Sequence, residues 1–114
     1  MTITLSEAER TRVMRKALLA GLSEASRSIL FSFASAVEMP DQADTFQKVA
    51  QEQARNAAAL LVLVREAWPE YRGTRYWQPQ EWLHLACGMD APYYRQYESK
   101  AVALIEQQLR ELEG

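Results

Sequence analysis

The chain has 114 residues, of which 48% are hydrophobic and 25% are charged, and its formal net charge is −2. This length is typical of one domain with its own hydrophobic core, and the composition is that of an ordinary globular protein. The near-neutral charge excludes a protein that is drawn to nucleic acid or to anionic membranes by its overall field.

Cysteine usage and the N-terminal sequence indicate a cytoplasmic protein. The single cysteine, Cys87, excludes an internal disulfide and fits a reducing compartment. Acidic residues at Glu7 and Glu9 argue against a signal peptide. The longest uncharged apolar run, residues 57–64, is too short to span a bilayer, so we expect no membrane partner.

The first predicted element is a long helix. Ser6 and Glu9 form a capping box, which is a helix-start signal. Apolar residues then recur at helical spacing, and this pattern predicts one helix that reaches about Glu38. The alternative is a break at Gly21, with Ser23 capping a second helix. A strip of small residues would let another helix approach closely: Ser28, Ser32 and Ser35.

A second long helix is predicted from about Gln42 to Ala67, where Trp68 and Pro69 close it. Its later part, residues 57–64, is apolar all round, so we expect it at the centre of the core. Residues 68–79 then form the one long connection, which is rich in aromatic residues and arginine.

Two further helices are predicted after the connection. Pro79 suits the first position of a short helix that ends near Cys87, with Gly88 as its C-cap. Asp90 is expected to cap the last helix, which holds Pro92 in its first turn. The expected fold is a single all-α domain, with a long helical hairpin over residues 6–67 and a helix-turn-helix-like pair over residues 80–112.

The last helix also suggests the assembly. An apolar stripe recurs along it at helical spacing, and little of the chain is left over to cover this stripe. We therefore expect a homodimer. The stripe consists of Val102, Ile105, Leu109 and Leu112.

The pair of helices around Gly88 has the outline of a helix-turn-helix, and residues 80–99 resemble the helix-turn-helix of small phage-type transcriptional regulators. The resemblance implies a DNA-binding regulatory protein of phage or mobile-element origin that reads DNA with the helix starting at Asp90. Arginine and glutamine are the types that read guanine and adenine. The alternative is a plain helical hairpin with an ordinary glycine cap. The DNA-binding residues would be Arg95, Gln96 and Ser99, with phosphate contacts from Arg72, Arg75 and Arg10.

The aromatic residues of the connection give the runner-up function. Eight of the eleven aromatic residues lie between Trp68 and Tyr97, interleaved with arginines. Tryptophan, tyrosine and arginine dominate interface energetics, so this surface suits a protein-interaction module such as an adaptor or inhibitor. The other interpretation is that the rings pin the connection over the end of the bundle. The candidate partner-binding residues are Trp68, Tyr71, Tyr76, Trp77 and Trp82.

No motif favours an enzyme. His84 and Cys87 are one helical turn apart, but no third group is evident to orient the histidine, so a buried thiol and a core histidine are the preferred interpretation. Glu81 and His84 match the Glu-x-x-His unit of di-iron bundles, which needs two such units, and the chain has one histidine. Phosphate-binding, dinucleotide and zinc motifs are missing from the sequence, so we expect neither cofactor nor metal.

Overall fold

The computed structural model describes residues 2–88 and 91–114, and for Ala91 the backbone alone. Within these residues the chain forms α-helices and short 3-10 turns without strands, which confirms the all-α fold. None of the described helices is long and apolar enough to cross a membrane. The helices are α1 (Glu7–Glu38), α2 (Ala43–Ala67), α3 (Pro79–Cys87), α4 (Ala91–Tyr94) and α5 (Glu98–Glu113), joined by 3-10 turns at Pro40–Gln42, Pro69–Tyr71, Arg75–Trp77 and Arg95–Tyr97.

Helix α1 begins at the predicted cap and continues without a break. The Ser6 hydroxyl accepts a hydrogen bond from the Glu9 backbone N–H at 3.1 Å. The helix passes through Gly21, so the one-helix prediction is confirmed. A Cβ at Gly21 would lie 3.3 Å from Leu60 Cδ1, which shows that glycine here lets α2 approach closely rather than ending the helix.

Helix α2 runs antiparallel to α1 and ends where predicted. The Arg15 side chain donates a hydrogen bond to the carbonyl oxygen of Ala67, the last residue of α2, at 2.8 Å. Residues 57–64 belong to the core on one face only, because Leu63 is 45% exposed. In so small a bundle α2 has neighbours on one side only, so its inner face is buried and its outer face meets solvent. The buried positions are Ala57, Ala58, Leu61 and Val64.

Helix α5 closes the bundle against α2 and α3. Its stripe is largely covered within the chain, since Ile105 and Leu109 are only 1% and 7% exposed. Val102 is half-buried, and Leu112, near the end of α5, is exposed. The expectation of an uncovered stripe is therefore wrong, because α2 and α3 together supply the surface that a second copy was expected to provide.

The segment after Gly88 is less regular than predicted. Gly88 has φ +54° at the end of α3, in the region that favours glycine. The predicted cap, Asp90, lies outside the described residues. The expected single last helix is instead the short α4, a 3-10 turn at Arg95–Tyr97, and then α5. Side chains three apart eclipse in a 3-10 turn, and this geometry lets Tyr94 and Tyr97 both pack on the core.

Candidate functional site

An open pocket of about 270 Å³ lies at the end of the bundle where α2 stops. It forms because the connection of residues 68–78 folds back over the helix ends and meets α1 and α3. Most of its lining surface is apolar. All five predicted partner-binding residues line it, together with two residues that the sequence did not single out. The full lining, called the aromatic pocket below, is Leu19, Val64, Trp68, Tyr71, Tyr76, Trp77 and Trp82.

Hydrogen bonds within the chain hold the walls of the aromatic pocket in place. The Trp77 indole N–H donates to the Trp68 carbonyl at 3.3 Å, and the Trp82 indole N–H donates to the Tyr76 carbonyl at 3.0 Å. Arg65 of α2 donates from Nε and Nη2 to the Trp77 carbonyl, at 3.2 and 2.6 Å. The polar groups of two indoles are therefore already satisfied, and their rings offer apolar surface to a ligand.

Three arginines stack on the aromatic walls. The Arg15 guanidinium carbon is 5.0 Å from the centroid of the Trp68 ring, and that of Arg65 is 5.8 Å from the Trp77 ring. The third, Arg75, lies 5.2 Å from the Tyr76 ring. Its side chain also donates to the Tyr76 hydroxyl at 3.2 Å, and this bond is the main reason why the pKa of Arg75 is raised. Sequence reasoning missed the role of Arg65, since nothing local marks this residue as a clamp.

The predicted DNA-reading residues lie on the surface. Arg95, Gln96 and Ser99 are exposed, while Tyr94 and Tyr97 pack on the core from the same segment. This division into an outer polar and an inner aromatic side is the one expected for the second helix of the motif. The irregular backbone at Arg95–Tyr97 is a departure from that motif.

The structure separates the predicted DNA-contacting residues, because Arg75 and Arg95 lie near opposite ends of α3. Arg75 lies near the first turn of α3, where its Nε is 3.7 Å from a Glu81 carboxylate oxygen. Arg95 lies near the other end of α3, close to Cys87. Arg72 is exposed in the connection. Arg10 is exposed on the part of α1 that extends past the end of α2.

His84 and Cys87 are not arranged as a catalytic pair. Cys87 is 3% exposed, and burial is the main reason why its pKa is raised, with a further rise from Glu98. The buried thiol is as predicted, whereas the core histidine is wrong, because His84 lies on the outer face of α3. Its Nδ1 is 3.8 Å from a Glu98 carboxylate oxygen. A nearby carboxylate and burial both disfavour the thiolate that a nucleophile requires.

The Glu-x-x-His unit does not form part of a metal centre among the residues that the structure describes. Glu81 is directed to Arg75 and His84 to Glu98, so the two side chains have different partners. In the described parts of the chain, no three histidine, cysteine, aspartate or glutamate side chains are placed to hold a metal ion together.

Searches against protein-family models, curated proteins and solved structures find no match to this chain. Its function therefore has to be inferred from two surfaces. One is the aromatic pocket, and the other is the exposed surface of Arg95, Gln96 and Ser99.

Proposed function

We propose that the protein is an interaction module, an adaptor or inhibitor, that binds an apolar side chain of a partner protein in the aromatic pocket. One observation carries this proposal: five aromatic residues from one stretch of sequence line a single open pocket. A volume of about 270 Å³ is slightly below the range of about 300–1,000 Å³ that is typical of pockets for drug-sized ligands. That size suits one anchoring side chain of a protein.

The chemistry of the walls favours a protein over a nucleobase or a polar metabolite. Bases are recognised by stacking together with hydrogen bonds to their edges. The indole donors of Trp77 and Trp82 are already bonded to backbone carbonyls, so they cannot read such an edge. An apolar side chain needs no such partner, and walls that are fixed before binding reduce the entropy lost on association.

The three tryptophans of the chain all line the aromatic pocket, so intrinsic fluorescence reports its occupancy. A random peptide library displayed on phage should yield binders that share an apolar residue and shift the tryptophan emission. Tyr71→Ala removes an exposed wall of the pocket and should weaken the selected peptides about thirtyfold, the scale of an interface hot spot of about 2 kcal/mol. Tyr93→Ala is the matched control, since Tyr93 is an exposed tyrosine outside the pocket.

Two results would contradict the pocket proposal. One is a set of selected peptides without a common apolar residue. The other is a Tyr71→Ala protein that keeps its helical circular dichroism and binds the peptides as tightly as the wild type does.

A second candidate is the DNA-binding regulator, supported by the outward Arg95 and Gln96 and the inward Tyr94 and Tyr97. Arg95→Ala should then cost about 1–3 kcal/mol of specific binding and relax the preference at one base pair. Arg10→Ala or Arg75→Ala should weaken binding to all sequences alike. Absence of any DNA affinity at low salt in a mobility-shift assay would remove this candidate.

Three further expectations belong with the second candidate: the phage or mobile-element origin, the cytoplasmic location and the homodimer. A homodimer suits a palindromic operator, whose two half-sites it would contact with equivalent surfaces. Since α5 buries Ile105 and Leu109 within one chain, a dimer has to use another surface. Sedimentation equilibrium at micromolar concentration tests the dimer, and a clean monomer would contradict it.

A further inference from the structure

We infer that the segment taken up by the aromatic pocket is acidic, with an apolar anchor side chain flanked by aspartate or glutamate. This inference rests on the proposed pocket function and names the chemistry of its partner. It follows from the three arginines on the pocket walls, from the donors that they retain, and from the distribution of charge along the molecule.

Each wall arginine makes fewer hydrogen bonds than its guanidinium allows, although the Nε–H of Arg15 is buried and out of reach of a ligand. A guanidinium carries five N–H groups. Arg65 directs two side-chain nitrogens at the Trp77 carbonyl, and Arg15 donates from one nitrogen to the Ala67 carbonyl. Arg75 donates from one nitrogen to the Tyr76 hydroxyl. Stacking on the rings fixes the guanidinium groups in position, so a carboxylate that binds them orders little further side chain.

The protein's own carboxylates pair with two of these arginines without hydrogen-bonding to them. The Arg15–Glu70 and Arg75–Glu81 distances are 3.8 and 3.7 Å, within the range of an ion pair but beyond that of a hydrogen bond. Arg65 and Arg72 have no carboxylate within 4.0 Å in the described parts of the chain. The positive charge of the guanidinium groups around the pocket is therefore only partly neutralised by the protein's own carboxylates. These groups can donate hydrogen bonds to carboxylates of a partner.

Charge is also divided between the pocket end and the rest of the molecule. Residues 2–19 and 65–81, which build the pocket end, hold seven lysines and arginines against five acids, a net charge of +2. The remainder holds six basic residues against ten acids, a net charge of −4. An approaching acidic segment is attracted to the pocket end and repelled elsewhere, which favours correct orientation on encounter.

The same arginines would also accept phosphates, but the surface between them is apolar. Nucleic acid would have to place a base in a pocket whose two indole donors are already bonded. An acidic peptide matches both the apolar surface and the arginines, since its anchor fills the pocket and its carboxylates bind the guanidinium groups.

The test uses synthetic peptides with a central phenylalanine or leucine flanked on both sides by glutamate, glutamine or lysine, titrated by tryptophan fluorescence. The glutamate peptides should bind most tightly and the lysine peptides least. Raising NaCl from about 0.1 to about 1 M should remove most of this difference, because the Debye length falls from about 10 to about 3 Å.

Single substitutions separate the charge effect from the pocket itself. Arg75→Gln should weaken the glutamate peptides about two- to fivefold more than it weakens the glutamine peptides, since the larger loss for glutamate is on the scale of an exposed ion pair. Lys48→Gln removes an exposed positive charge outside the pocket end and should change neither. Circular dichroism checks that both variants remain folded.

The outcomes distinguish this inference from the proposed function. Equal binding of glutamate and glutamine peptides would overturn the acidic partner and leave the pocket function standing. The pocket function would be overturned if a glutamate peptide with serine in place of the anchor bound as tightly as the peptide with the anchor. If no peptide with a phenylalanine or leucine anchor binds, both the acidic partner and the pocket function are refuted. Tighter binding of a single-stranded oligonucleotide than of the glutamate peptides would overturn the acidic-peptide partner in favour of phosphates.

Discussion

The clamp that Arg65 forms over the connection can be removed by Arg65→Met, which keeps an unbranched side chain to cover the same apolar surface. Arg65 donates from two nitrogens to the Trp77 carbonyl and stacks on the Trp77 ring. Without this clamp, residues 68–78 should open more often while the helices remain packed. The aromatic pocket should then lose two of its walls, Trp77 and Tyr76, in the open state.

The cost of the substitution follows from the contacts that it removes. A hydrogen bond to a charged group contributes about 1.5–3 kcal/mol, and the lower figure applies because Arg65 is half-buried and both donors share one acceptor. An exposed cation–π contact adds about 0.5–1 kcal/mol. A total of about 2 kcal/mol raises the open population of the connection roughly thirtyfold.

Limited trypsin digestion measures this population, because Arg72 and Arg75 are cleavage sites inside the connection. When opening is fast relative to cleavage, the rate follows the open population. Cleavage there should therefore be roughly thirtyfold faster in Arg65→Met. Arg27→Met is the control, since Arg27 is exposed on α1 and lies 4.0 Å from Glu24. A trypsin cleavage rate of Arg65→Met within about twofold of the wild-type rate would refute the claim that Arg65 holds the connection closed.

One further substitution and one pH titration test the packing of the helices. Gly21→Ala should stabilise the protein by about 0.5 kcal/mol in urea unfolding, because alanine gains up to about 1 kcal/mol of helix propensity while the end of the flexible Leu60 side chain shifts slightly; a loss of stability would contradict this. Burial, with Glu98, raises the pKa of Cys87, so the unfolded chain loses its thiol proton at lower pH than the native chain. Stability should therefore be intact below the ordinary thiol pKa and fall as the pH rises from there through the raised pKa of the native thiol. Labelling of the thiol that is as rapid in the native protein as in denaturant would show that Cys87 is not buried.

The helix bounds were predictable because their signals are local. The hydroxyl of Ser6 caps its own helix, and Pro40 and Pro69 follow residues that are disfavoured in helical conformation. Pro79 and Gly88 likewise occupy positions where a missing N–H or a positive φ fits a helix end. Each of these effects depends on a few neighbouring residues, so it can be read from the sequence.

Features that depend on which helix covers which face were not predictable. The exposure of Leu63 and the burial of Leu109 depend on which helices pack against α2 and α5, and Leu63 is exposed although its sequence neighbours are apolar. The 3-10 turn at Arg95–Tyr97 likewise depends on tertiary packing of two tyrosines. Sequence clustering did identify the aromatic members of the pocket. It could not identify Leu19, which lines the pocket from a distant part of the chain, or Arg65, whose contact with the Trp77 carbonyl depends on how the connection folds back.

The long hairpin of α1 and α2 has a consequence for the order of folding. Its 32-residue first helix is about 48 Å long, close to the 52 Å length of the molecule, and the connection to α2 is a single short turn. Contacts of such a hairpin close early because few residues separate the two helices at the turn. During synthesis the hairpin is complete once Ala67 has emerged, whereas the pocket walls need Trp82. A nascent chain therefore exposes the hairpin's apolar face until α3 and α5 have been synthesised, and the pocket cannot form before Trp82 has emerged.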